Sequence, residues 1–155
     1  MALVKLNTGE VANKGRAVAL LHPGTQVPIG IRFYVLGADS NEFKRINRKQ
    51  QMELQAKQKR QRRGGIYLQT PEELEANGTE LLVGLTTGWE EDVKNDKGEV
   101  ISVRKEIELN EGEFIPFSPE AVQRIYEDLG FSWIREQIDS EIGDRRDFLP
   151  SEKKS

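Results

Sequence analysis

With 155 residues the chain is long enough for one domain with a hydrophobic core, or for one domain carrying an arm. Its 36% hydrophobic and 32% charged residues make it wetter than an ordinary globular domain, so part of it is expected outside the core. Cysteine is absent, which excludes disulfides, thiolate nucleophiles and cysteine-held zinc; the net charge of −3 conceals a basic segment, residues 41–63, with nine basic and two acidic side chains (+7), and leaves −10 for the remainder.

Residues 1–16 carry little core material, and Asn7-Thr8-Gly9 and Asn13-Lys14-Gly15 are turn chemistry, so this segment is expected to be flexible. A single α+β domain is expected over 17–150. Its first element is the strand Ala17 to Leu21, ended by His22-Pro23-Gly24. From Ile29 to Leu36 the alternation of Ile29, Ile31, Phe33 and Val35 with Arg32 and Tyr34 predicts a half-buried strand, and the two strands form an N-terminal β-hairpin.

The period then changes. Asp39 with Glu42 resembles a capping box, and residues 40–63 are helix formers without Pro or Gly: a long basic helix, stopped by Gly64-Gly65. Only Phe43 and Ile46 offer a docking face near its start, so the rest is expected to be solvated. Thr70-Pro71-Glu72-Glu73 opens a second helix whose Leu74, Leu81, Leu82 and Leu85 share a face, which ends near Gly88 and is followed by Trp89 as a core anchor. Val93 to Val103 reads as a small β-hairpin about Asn95-Asp96-Lys97-Gly98; the charged stretch through Leu109 is expected to be an exposed loop or edge, and Phe114 to Phe117 is extended.

A C-terminal helix pair closes the domain. Ser118-Pro119-Glu120 starts the first helix, with Val122, Ile125, Tyr126 and Leu129 inward; Ser132 is expected to cap the second, with Ile134, Ile138 and Ile142 inward. Phe148-Leu149-Pro150 is a short apolar hook, and 151–155 is expected to be a disordered tail. Strands and helices are segregated, so the fold class is α+β.

No chemistry assembles from these residues. The single histidine, His22, reads as a turn residue, and one histidine without cysteine argues against a transition-metal site. Asp92 to Glu99 has Lys97 where a calcium loop requires glycine, and Gly84 to Trp89 lacks the Lys-Ser/Thr ending of a phosphate-binding loop. No cofactor is expected, and the chain reads as a non-enzymatic binding protein. Its candidate protein-binding residues are Arg48, Lys49, Lys57, Arg60, Arg62 and Arg63 on the basic helix, with Phe148 and Leu149 on the hook. Nucleic acid is a less favoured partner of the helix, because glutamines rather than aromatics lie between the cations and the acidic body repels phosphate. The +7 arm and −10 body also favour self-association. No segment has the apolar length of a signal peptide or membrane span, so no membrane partner is expected.

Three stretches together resemble the tail assembly chaperones of long-tailed bacteriophages: Leu21-His22-Pro23-Gly24-Thr25 through Pro28-Ile29-Gly30-Ile31 to Gly37-Ala38-Asp39-Ser40; Leu81-Leu82-Val83 through Gly88-Trp89; and Phe114 to Glu120 through Ile138 to Asp144-Arg145-Arg146-Asp147-Phe148-Leu149. The resemblance spans residues 18–150 and carries no catalytic motif. It implies a protein that coats the tape-measure protein in the host cell cytoplasm, recruits tail-tube subunits and is absent from the mature virion. A structural tail or connector protein of the virion is the alternative.

Overall fold

The computed structural model describes residues 2–61 and 65–150; the expected tail at 151–155 lies outside them. Leu3–Leu6 forms a 3-10 turn and Gly9–Lys14 forms helix α1. Of the segment expected to be flexible, α1 is docked: Ala12 is buried, its carbonyl accepts from the Gly37 amide (3.1 Å), and the Asn13 side chain accepts from the Asn41 amide (2.7 Å), whereas Leu3, Val4 and Leu6 are exposed. One alanine and main-chain bonds hold it, and neither leaves a hydrophobic period in sequence.

Strands β1 (Arg16–Leu21) and β2 (Pro28–Val35) pair antiparallel as expected. His22 is a turn residue, its Nδ1 accepting from the Gly24 (3.0 Å) and Thr25 (3.2 Å) amides. Helix α2 runs over Asn41–Arg60 and stops short of the expected residue 63, because the Gln61 backbone is extended; Arg62 and Arg63 lie outside the described residues. Its cap is Ser40 rather than Asp39. The extended Ser40 immediately precedes the first turn, and its hydroxyl accepts from the Phe43 amide (3.2 Å). Asp39 is engaged elsewhere, accepting from the Thr8 hydroxyl and from Arg145 (2.8 and 3.0 Å).

Helix α3 (Pro71–Leu85) starts at the Thr70 cap, which accepts from the Glu73 amide (3.1 Å). It stops three residues before Gly88 and passes directly into β3 (Thr86–Lys94). The buried Thr86 hydroxyl donates to the Leu82 carbonyl (2.7 Å) and lies 2.7 Å from the Tyr126 hydroxyl, which fixes this junction. Leu82 and Leu85 are buried as expected, whereas Leu74, one turn from the N-terminus, is 55% exposed.

Strand β3 pairs with β2 (Phe33 opposite Trp89, Arg32 opposite Glu90) and with β4 (Val100–Arg104), so the hairpin expected over Val93 to Val103 starts earlier, at Thr86, and is half of a four-stranded antiparallel sheet ordered β1-β2-β3-β4. β5 (Glu106–Asn110) and β6 (Glu113–Pro116) form a second ladder. The charged stretch through Leu109 is thus the edge rather than the loop of the two expected forms: Glu108 and Leu109 are exposed on β5, and Ile107 is buried.

Helix α4 (Pro119–Glu127) is capped by Ser118, which accepts from the Ala121 amide (3.0 Å), and buries Val122, Ile125 and Tyr126. Leu129, expected on that face, lies beyond the helix end and is 84% exposed. Helix α5 (Ser132–Gly143) buries Ile134, Ile138 and Ile142; Ser132 is already helical, so it does not cap.

One contiguous core runs from Val18 to Ile142 and joins the inner faces of β1, β2 and β3 to α3, α4 and α5. Trp89 sits in it, its ring 5.4 Å from those of Phe33 and Phe117 and its Nε1 donating to the Ile115 carbonyl (3.1 Å). Each such aromatic pair is worth about 0.5–1.5 kcal/mol beyond the area it buries. The fold class is α+β.

Candidate functional site

Helices α2 and α3 lie antiparallel and form an arm. At its base, Ile46 is buried against Gly84, where a Cβ would collide with the Ile46 Cδ1 atom. Beyond that point α2 has no large apolar side chain to bury deeply, and the contact becomes polar. Lys49 pairs with Glu80, the Gln50 amide donates to the Asn77 carbonyl (2.8 Å) and to Glu80 (3.0 Å), and Lys57 pairs with Glu73 (2.8 Å). Tyr67 closes the tip: its hydroxyl donates to Glu73 and its ring lies 5.7 Å from the Lys57 ammonium. The Lys49 bond holds the Glu80 carboxyl below the usual carboxylate range, and the Lys57 bond does the same for Glu73. The outer part of α2, expected to be solvated, is thus braced on one side. Complementary polar groups brace it, and their partners stand on another helix, so no periodicity within α2 reveals them.

The opposite side of α2 is different. Lys44, Arg48, Met52, Gln55 and Lys59 recur at four- and three-residue steps and fall on one stripe of the helix. All five are exposed, Met52 by 69%. Among the described residues, Lys44, Arg48, Lys59 and Arg60 stand in no ion pair, whereas Arg45 is held by Glu42. The stripe is therefore cationic, with the apolar Met52 near its middle.

The expected binding residues separate accordingly. Arg48 and Arg60 face solvent; Lys49 and Lys57 hold α3; Arg62 and Arg63 lie outside the described residues. Phe148 is buried against Gly37, with the Arg16 guanidinium 5.1 Å from its ring, so it completes the core rather than offering a contact. Leu149 remains 43% exposed. Sequence reading missed Lys44, Met52 and Lys59 as a set, although their spacing is a helical stripe and could have shown it.

A second charged group occupies the sheet face opposite the core. Arg32 donates to Glu90 (2.9 Å) and Asp92 (2.7 Å), the Tyr34 hydroxyl donates to Glu90, and Lys105 reaches Glu90 at 3.2 Å. The Tyr34 and Arg32 bonds lower the nearly buried Glu90 carboxyl to about 2, and Asp92 is lowered by Arg32. Each of these carboxylates already has cationic or hydroxyl partners, so the group acts as a cross-strand tie between β2 and β3, joined by Lys105 just past the end of β4. Among the described residues no cluster of three or more His, Asp or Glu side chains has the arrangement to hold a metal ion. No described helix is long and apolar enough to cross a membrane.

No family model matches this chain, and neither a curated protein nor a solved structure is detectably similar to it.

Proposed function

We propose that the chain is a non-enzymatic assembly factor of the tail-assembly-chaperone kind, whose α2 stripe receives acidic, helix-rich segments of an elongated partner, the tape-measure protein. The observation that carries this reading is the division of α2. One side is saturated with partners in α3 and keeps the helix rigid. The other holds Lys44, Arg48 and Lys59 in no ion pair among the described residues, with exposed Met52 among them. A preorganised cationic helix loses little freedom on binding, and methionine adapts to varied apolar surfaces. Many copies, each bound weakly along a long partner, give tight but displaceable coating. On this reading the protein works in the host cytoplasm, recruits tail-tube subunits once bound, and leaves before the virion is complete.

Co-expression with the tape-measure protein of the same genome tests this. The expected result is soluble tape-measure protein that co-purifies with this chain, and virions that lack the chain by mass spectrometry. A tape-measure protein that stays insoluble in its presence would overturn the reading. Stoichiometric recovery of the chain in virions would favour the structural tail or connector role instead. A nucleic-acid gel shift lost on neutralising Arg48 and Lys59 would favour the third reading, a nucleic-acid-binding protein.

A further inference from the structure

The four-stranded sheet has two edges, and they are treated differently. At β1 the edge is closed by a side chain at its C-terminal end: the Leu21 amide donates to Gln137 Oε1 and Gln137 Nε2 donates to the Leu21 carbonyl, both at 2.9 Å. The α5 glutamine thus makes the two bonds a neighbouring strand would make there. At β4 nothing comparable is present. Among the described residues its only strand partner is β3, and no backbone bond outside that pairing involves residues 100–104. Val100, Ile101 and Val103 are 53%, 63% and 47% exposed. An open edge rich in β-branched residues is a template for another strand. A bulge lies at one end, where Val100 rather than Ile101 is opposite Lys94, and residues 102–104 stay in register with β3.

The sequence of this edge is self-complementary. Antiparallel pairing of β4 with β4 of a second copy, about a twofold axis at Ser102, sets Ile101 against Val103, Val100 against Arg104, and Glu99 against Lys105, each twice. Moving the axis to Ile101 sets Lys97 against Lys105. Moving it to Val103 sets Ile101 against Lys105 and Val100 against Glu106. Of these three registers, only the one centred on Ser102 sets apolar against apolar (Ile101 with Val103) and opposite charges together (Glu99 with Lys105), while Val100 falls against Arg104. Lys105 would have to exchange its 3.2 Å contact with Glu90 for Glu99 of the second copy, and its side chain, 78% exposed, is free to swing there.

We infer that the β4 edge is a homodimer interface, joining two four-stranded sheets into one continuous eight-stranded sheet across a dyad at Ser102. This inference is independent of what binds the α2 stripe, so either can fail alone.

Because the chain has no cysteine, Ser102→Cys gives a single thiol at the dyad, where antiparallel partners stand within disulfide reach. Mild oxidation should convert Ser102→Cys to a covalent dimer and leave Ser140→Cys, on exposed α5, largely monomeric. Sedimentation velocity of the full chain should show a concentration-dependent dimer below about 200 μM. Glu99→Lys or Lys105→Glu alone should weaken it about tenfold, and the Glu99→Lys/Lys105→Glu pair should recover most of that loss. Ile101→Lys and Val103→Lys change exposed side chains, so they should abolish the dimer while circular dichroism and Tm stay those of the parent. Overturning results are a monomer throughout that range, equal cross-linking of Ser102→Cys and Ser140→Cys, or a dimer indifferent to Val103→Lys.

Discussion

The sheet with its covering helices and the outer half of the α2–α3 arm are held by different forces. The first buries Phe33, Leu85, Trp89, Tyr126 and Ile138 in a shared core. The second is held through Lys49–Glu80, Lys57–Glu73 and the Gln50 amide, at the protein surface. Apolar burial is not screened by salt, whereas exposed ion pairs are screened and individually weak. The body therefore keeps the fold, and the bracing that holds α2 in place on α3 is the part that salt and acid weaken first.

The largest expected effect lies in the body. Trp89→Ala removes a ring that touches Phe33 and Phe117 and leaves a cavity; it should cost about 3–5 kcal/mol in urea unfolding. Gly84→Ala tests the packed junction between the regions. The added methyl must displace the end of the Ile46 side chain, which should cost about 1–3 kcal/mol and loosen α2 from α3.

Glu90 supplies the pH dependence of the body. Its folded value of about 2 lies below the ordinary 4.5, so its contribution is complete above about pH 4.5 and is lost as the pH falls through 2. Glu90→Gln should cost about 1–2 kcal/mol at pH 7 and flatten that acid limb in pH-dependent unfolding.

Smaller effects belong to the arm. Glu73→Gln should raise amide hydrogen exchange in the second half of α2 while leaving Tm within error. About 0.5 M salt should do the same to the parent chain. Because pairing with Lys57 and Lys49 lowers the Glu73 and Glu80 carboxyls, the bracing is present at neutral pH and is lost as the pH falls below the carboxylate range. At the far end of the scale, Leu129→Ser at an exposed position should change stability by less than about 0.5 kcal/mol.

The same contrast explains what could be read from sequence. Elements defined by local grammar were legible: the Thr70 and Ser118 caps, the alternation from Ile29 to Val35, and the spacing of Ile134, Ile138 and Ile142 all have their cause within a few residues. Elements defined by distant partners were not. Strand β3 was hidden because Glu90 and Asp92 look like loop charges until Arg32 of β2 stands beside them. α1 was hidden because its anchor is one alanine under Gly37. In the candidate site, sequence identified the basic helix but not its two sides, since Glu73 and Glu80 lie beyond the loop in α3.

The claim that α2 works through its unpaired stripe meets its most direct test in the affinity of the folded chain for soluble tape-measure fragments. The parent should be compared with Arg48→Glu/Lys59→Glu by isothermal titration. The prediction is at least about tenfold weaker binding with unchanged Tm, since neither residue is paired within the described fold. Equal affinity of the two proteins for every fragment would contradict it.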